Sequence, residues 1–284
     1  MTDESVQLAS ARPIGVLDSG VGGLSVLRQL RALLPTESME YVADQAHVPY
    51  APRQADEVRG FATGLSRFLL ARHAKLIVLA CNTASVAALE PLRRTFPETP
   101  FVGMDPAIKP AAADTRTGKI GVLATPGTFR SERYAHLLRE FARGIEVVTC
   151  PCPGLVELIE SGQLDTPAAA ALLRSFIEPM VRQGVDTLVL GCTHFPLAMA
   201  QIQAAAGPGV RLNDPAPAVA RQARHRLAER GLLLPETAPP GRVQLFTTGR
   251  QGNDLRRMAV EVLGTALAPV QTLRWTDAGC LTSA

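Results

Sequence analysis

The sequence predicts an α/β protein of two pseudo-symmetric parallel-sheet domains, with its active site in the cleft between them. Apolar runs of strand length alternate with stretches of helical period, the pattern of parallel strands joined by crossover helices. Ile14-Gly15-Val16-Leu17 recurs as Ile120-Gly121-Val122-Leu123, and Glu40-Tyr41-Val42 as Glu146-Val147-Val148, both 106 positions on. Two strand-like runs, LIVLACNTAS and TLVLGCTHFP, each reach a cysteine, Cys81 and Cys192, 111 positions apart. Three landmarks repeated in the same order at a near-constant offset mark an internal duplication.

Strands are read at Ile14–Leu17, Glu40–Ala43, Leu76–Ala80, Phe101–Gly103, Ile120–Ala124, Val147–Cys150, Thr187–Gly191 and Val243–Thr247. Asp105-Pro106 precedes the second copy and Asn213-Asp214-Pro215 follows its cysteine unit. These breaks give a first domain over 13–104 plus 216–272 and a second over 105–215. The run Val243–Thr247 has no place in the second copy's order, so it is expected to return to the first sheet. Pro and Gly between Gly231 and Gly241 mark a surface loop. Ligands of open α/β sheets bind beyond the carboxyl ends of strands, which is where Asp18, Cys81 and Cys192 fall.

Composition narrows the function. With 284 residues, 46% hydrophobic and 19% charged, the chain is expected to be a soluble globular protein with ordinary cores. Its net charge of +3 is spread along the chain among few aromatics, so no dedicated nucleic-acid face is expected. Lys75, Lys109 and Lys119 are the only lysines and none stands in a pocket motif, which argues against pyridoxal phosphate chemistry. The opening residues carry Asp3 and Glu4 instead of a basic, apolar leader, and no run reaches membrane-spanning length, so the cytoplasm is the expected compartment. Cys81, Cys150, Cys152, Cys192 and Cys280 make an odd count, in keeping with free thiols. Cys150-Pro151-Cys152 with His194 matches no common zinc spacing, so no metal and no cofactor are expected.

Two thiols in equivalent places suit a two-base reaction. Inverting a carbon by deprotonation needs a base on one face and an acid on the other, one group as thiolate while its partner is thiol. A free thiol has a pKa of about 8.5 and needs help to act as base near neutrality. For Cys81 the expected helpers are a helix N-terminus at Asn82-Thr83 and Asp18; for Cys192, its own helix N-terminus and His194. Asp18-Ser19-Gly20-Val21-Gly22-Gly23 follows the first strand and precedes a helical stretch. Its glycines allow N–H groups to approach an anion, although for the glycines alone an ordinary strand-to-helix turn is the favoured explanation. The spacing is neither the dinucleotide nor the P-loop fingerprint. Asp44 and Asp214 read as turn residues.

Together, D-S-G-V-G-G at Asp18–Gly23, Y-V-A-D at Tyr41–Asp44, Pro49-Tyr50, A-C-N-T-A at Ala80–Ala84, G-V-L-A-T at Gly121–Thr125 and G-C-T-H-F-P at Gly191–Pro196 resemble the glutamate racemases of the aspartate/glutamate racemase family. The resemblance runs from about Pro13 to Asp214 and extends weakly to Thr247-Thr248-Gly249. It implies cofactor-independent interconversion of L- and D-glutamate, supplying D-glutamate for peptidoglycan. Carried over by motif, Cys81 and Cys192 would be the acid/base pair. Asp18, Ser19, Tyr50 and Ala51 would contact substrate, and Asn82, Thr83, Thr193 and His194 would bind or support it. Glu160 in L-V-E-L-I-E-S-G would assist His194, with Glu157 as the neighbouring alternative. The substrate partner is then glutamate, and a homodimer is an expectation because dimers are common in the family.

Two departures from the family pattern stand out. Ala51 replaces the usual glycine after Pro-Tyr, which bears on discrimination of side-chain length, and Arg250 follows Thr-Thr-Gly where an acidic residue is usual. Beside glutamate racemisation, the residues leave open a two-cysteine racemase for aspartate or another acidic amino acid. They also leave open a non-catalytic binding protein, for example one contacting DNA gyrase as some family members do.

Overall fold

The computed structural model describes residues 9–249, 252–264 and 267–283. Arg250 and the first eight residues lie outside them. The chain divides into two compact units, one running to Met104 and resuming at Ala216, the other Asp105–Pro215.

The first unit holds strands β1 (Ile14–Asp18), β2 (Met39–Ala43), β3 (Leu76–Leu79) and β4 (Phe101–Val102). The second holds β5 (Lys119–Ala124), β6 (Glu146–Pro151), β7 (Thr187–Gly191) and β8 (Arg211–Asn213). After it come β9 (Val243–Thr247), β10 (Gln271–Trp275) and β11 (Leu281–Ser283), which belong to the first unit. The sheets order as β11-β10-β9-β2-β1-β3-β4 and β6-β5-β7-β8. Within them β2-β1-β3-β4 and β6-β5-β7-β8 are the same arrangement, so the repeat read from the sequence is a repeat of sheet topology.

Aliphatic side chains explain why these runs are strands. β1, β2, β3 and β7 are buried along their whole length, as strands covered on both faces must be. Flanking helices supply the cover: Leu24–Leu33 turns Leu24, Leu27 and Leu30 inward, and Ala55–Ala71 turns Val58, Leu65 and Leu69 inward. Caps set several helix starts. Ser131 accepts the N–H of Tyr134 at 3.1 Å before the helix Glu132–Phe141, and Thr166 accepts that of Ala169 at 3.2 Å, with Pro167 as the first helical residue.

The returning strand takes its expected place: β9 pairs with β2, Met39 opposite Val243 through Ala43 opposite Thr247. The first sheet nevertheless continues past residue 272, the boundary read from the sequence, through β10 and β11. β10–β11 is an antiparallel pair, so this sheet is not wholly parallel. β8 was also absent from the sequence reading. It has three residues, of which Arg211 is exposed and the others half-buried, so it carries little apolar signal.

Two of the three lysines have plain structural work. The buried Nζ of Lys75 lies 2.5 Å from Glu37 and donates to the carbonyls of Ser10 and Leu232, tying three segments together. Lys119 pairs with Glu146 across β5–β6 at 2.9 Å. Burial pushes the Lys75 amine down from its usual value, and Glu37 opposes that fall. Among the described residues no helix is long and apolar enough to cross a membrane.

Lys75→Met leaves Glu37 buried without its cation. It is expected to lower unfolding free energy by about 3–5 kcal/mol, seen as a lower urea midpoint at an unchanged slope.

Candidate active site

Cys81 and Cys192 each stand within two residues of the end of a buried strand, where the chain turns into a helical segment. β3 ends at Leu79, and Cys81, with extended backbone (φ −145°, ψ 121°), is the N-cap of the helix Asn82–Thr95. Its sulfur accepts the N–H of Ala84 at 3.5 Å and lies 4.0 Å from the Ser19 hydroxyl oxygen. A sulfur at this position sits in the favourable field of the helix N-terminus, as expected for Cys81. The next residue, Asn82, is 3% exposed, and among the described residues neither polar atom of its amide has a hydrogen-bond partner. A native chain seldom leaves such a group unmatched, since desolvating it costs about 1–3 kcal/mol. Thr83 follows, half-buried, in the same first turn.

β1 delivers Asp18 and Ser19 to the same edge of the first sheet, both buried. Asp18 Oδ2 accepts the N–H of Gly23 at 2.7 Å and of Gly20 at 3.3 Å, while the Tyr41 hydroxyl donates to the Gly20 carbonyl. The glycine-rich segment therefore folds around Asp18, and two of the N–H groups read as suited to an outside anion serve this carboxylate. Gly23 is required here because a Cβ would lie 2.7 Å from that of Asp18 and 2.9 Å from the Tyr41 ring.

Cys192 has a different setting. β7 ends at Gly191, and the chain passes through Thr193 and His194 into a single 3-10 turn, Phe195–Ala198, before the helix Met199–Ala206. The expected α-helix N-terminus at Cys192 is thus a 3-10 turn, closed by Phe195 N–H to the Cys192 carbonyl at 3.1 Å and Leu197 N–H to that of His194 at 2.9 Å. Pro196, which has no N–H, fits the start of that turn. The main polar neighbour of the thiol is instead His194, whose Nδ1 lies 3.8 Å from Sγ. Its Nε2 is 2.6 Å from Glu160 Oε1, at the end of the helix Leu155–Glu160. Of the two carboxylates read as candidates, Glu160 reaches the histidine and Glu157 faces solvent. Burial pushes the His194 imidazole down, but its hydrogen bonds to Cys192 and Glu160 and their charges outweigh burial and hold it well above its usual value. A proton is thereby kept within reach of the Cys192 sulfur. Thr193 is buried beside it.

The other cysteines are free thiols: Cys150 half-buried on β6, Cys152 buried and Cys280 exposed. Among the described residues no group of three or more His, Cys, Asp or Glu is arranged to hold a metal ion.

Tyr50 is buried and donates its hydroxyl to Asp44 Oδ2 at 2.7 Å, while Ala51 follows it in a half-buried turn. Asp44 opens a turn, as read from the sequence, its carbonyl accepting the His47 N–H at 3.0 Å, but it is also fully buried and its carboxylate is bound by four side chains. Its place at the end of the Y-V-A-D run was the available signal.

A family model described as Asp/Glu/Hydantoin racemase matches residues 14–223. The chain belongs to that family. A curated glutamate racemase from Roseiflexus sp. is 50% identical over 240 residues, covering 84% of this chain and 88% of the relative. The solved structure of a glutamate racemase isoform from Bacillus anthracis superposes with a TM-score of 0.83 at 33% identity, covering 95% of this chain and 98% of the other. The Escherichia coli glutamate racemase, solved in complex with L-glutamate and the activator UDP-MurNAc-Ala, gives 0.82 at 31% identity, covering 93% and 98%. Within the family the chain thus sides with the glutamate racemases, and its activity class is that of an isomerase.

His194 yields a pH prediction. Below the unfolded value of about 6.5 the imidazole is protonated in both folded and unfolded chains, and its pairing with Glu160 stabilises the fold fully. As pH rises through the raised folded value that contribution is lost. The stability gap between the wild type and Glu160→Gln, followed by urea denaturation, is therefore expected to be widest near about pH 6 and to narrow at alkaline pH.

Proposed function

We propose that this protein interconverts L- and D-glutamate without a cofactor, Cys81 and Cys192 serving as its two acid/base groups. The observation that carries the proposal is that both thiols are buried at equivalent strand ends of a duplicated sheet, in a chain that sides with glutamate racemases. One thiolate takes the α-proton; the other residue, as thiol, returns a proton to the opposite face of the carbanionic carbon. The product leaves with inverted configuration and the two sulfurs with exchanged protonation states, so the reverse reaction needs no further group.

The thiols reach these states by different means. Cys81 relies on the helix N-terminus and Ala84 N–H, with Asp18 and Ser19 at the neighbouring strand end. Cys192 relies on the His194–Glu160 pair, which can lend and recover a proton. The α-proton of an amino acid carboxylate is weakly acidic, so the developing negative charge must meet fixed donors. The Asn82 amide, the Thr83 and Thr193 hydroxyls and nearby backbone N–H groups fill this role by preorganised electrostatics. The unmatched polar atoms of Asn82 support that assignment. Tyr50 and Ala51 complete the substrate contacts. L-glutamate in the E. coli relative supports the choice of substrate, and we place the enzyme in the cytoplasm, where it supplies D-glutamate for peptidoglycan.

Exchange of the α-proton for deuterium in D₂O, with circular dichroism followed on the same samples, tests the substrate. Loss of optical activity with exchange is expected for L-glutamate and not for L-aspartate; the opposite result would make this an aspartate racemase. Cys81→Ser and Cys192→Ser are each expected to cut racemisation by about 10²-fold or more while the far-ultraviolet spectrum is unchanged, and near-normal turnover by either would remove the two-thiol mechanism.

A further inference from the structure

The Asp44 carboxylate is buried and saturated. Oδ2 accepts the Tyr50 hydroxyl at 2.7 Å and lies 2.9 Å from His47 Nδ1; Oδ1 accepts the Thr248 hydroxyl at 2.7 Å and the Trp275 indole N–H at 2.8 Å. A carboxylate has about four lone-pair sites, and here four side chains occupy them. Asp44 thus has no free site with which to carry a proton or touch substrate, and its chemistry is to hold other groups in place.

What it holds is the loop between β2 and the helix Ala55–Ala71. The Thr248 hydroxyl also accepts the Ala46 N–H at 3.0 Å, and Arg53 donates to the His47 carbonyl at 2.8 Å. The His47 ring stacks on Phe61 with centroids 3.9 Å apart, and the Tyr50 ring stacks on the same Phe61 at 5.6 Å. Tyr50 has one hydroxyl proton, committed to Asp44, and burial together with the Asp44 charge holds this phenol well above its usual pKa. Its oxygen can therefore accept from a ligand but not donate to one. Among the described residues the N–H of Ala51 makes no hydrogen bond, so the fixed loop presents a backbone donor one residue after the anchored ring. Trp275 reaches Asp44 from β10, far along the chain, and packs on Gly64, where a Cβ would lie 2.5 Å from its ring.

We propose that Asp44 is a positioning residue for substrate binding: by fixing the Tyr50 hydroxyl it sets the loop that offers Tyr50 and Ala51 to glutamate, and β10 takes part through Trp275. This rests on the racemase reading above. Because the loop meets substrate equally before and during proton transfer, its loss is expected in KM more than in kcat.

The test is steady-state racemisation of L-glutamate by the full chain and by Tyr50→Phe, Asp44→Asn, their double variant and Trp275→Phe. Tyr50→Phe and Asp44→Asn are each expected to raise KM about tenfold with kcat within about twofold, and the double variant no more than either alone, because both changes break one shared contact. Trp275→Phe, which keeps a ring on Gly64 but removes the donor, is expected to raise KM about threefold. Unchanged KM in Tyr50→Phe and Trp275→Phe would overturn the proposal even if Asp44→Asn failed to fold. So would multiplicative effects in the double variant, or a fall in kcat at constant KM. A wild-type protein inactive on glutamate would instead overturn the racemase reading, before any variant is compared, and this proposal with it.

Discussion

A strand in a parallel sheet has only one end at which the chain can leave toward a given side, and every neighbouring strand leaves on that same side. This constraint gathers residues distant in sequence along one edge. In the first unit it brings Asp18 and Ser19 after β1 beside Cys81 after β3, because β1 and β3 are hydrogen-bonded neighbours. In the second it sets Cys192 after β7, next to β5, in a sheet of the same order. The apolar strands that carry no chemistry are therefore what locates it: removing their burial would lose the edge before it lost any side chain at that edge.

The two thiols occupy matching places without matching surroundings. Behind Cys81 a regular helix of fourteen residues begins at once, and its N-terminal peptide groups act on the sulfur. Behind Cys192 a four-residue 3-10 turn, with its poorer hydrogen-bond geometry, stands between the sulfur and the helix Met199–Ala206. Beside it stands the buried His194–Glu160 pair, which under the proposed mechanism would supply a mobile proton where the first half offers fixed dipoles. The duplicated scaffold thus holds a thiol at the same place in both halves while surrounding it differently.

How far this was legible depended on the kind of signal. Runs such as Leu76–Leu79 and Thr187–Gly191 are continuous aliphatic segments, which a sheet buried on both faces requires, and these stood out. The sites of Cys81 and Cys192 followed from the same runs, and the rest of the site came from motif resemblance. β8 was hidden because Arg211–Asn213 is short and partly exposed, although Phe101 and Arg211 stand 110 positions apart, close to the spacing of the cysteines. β10 and β11 carry Gln271, Arg274 and exposed positions, which dilute any alternation. Glu160 and Glu157 lie three residues apart on one helix, so only coordinates separate them. Asp44 was legible only as the turn former it is, because its side-chain partners Thr248 and Trp275 lie more than 200 residues away, beyond any local pattern.

The return of β9 has a bearing on how the protein is made. Synthesis proceeds from the amino terminus at about 5–20 residues per second, so β9 emerges some 10–40 s after β2, the strand it must pair with. During that interval the whole second unit is translated while β2 has a bare edge, with unpaired peptide groups able to recruit a strand from another nascent chain. Glu40 lies on that strand and Arg72 binds its carboxylate through two hydrogen bonds of 2.7 Å, placing charge beside an edge that otherwise reads as Met, Tyr, Val and Ala. The discontinuity of the first unit thus makes the ribosome-bound intermediate, more than the finished protein, the stage at which this chain is exposed to misassembly.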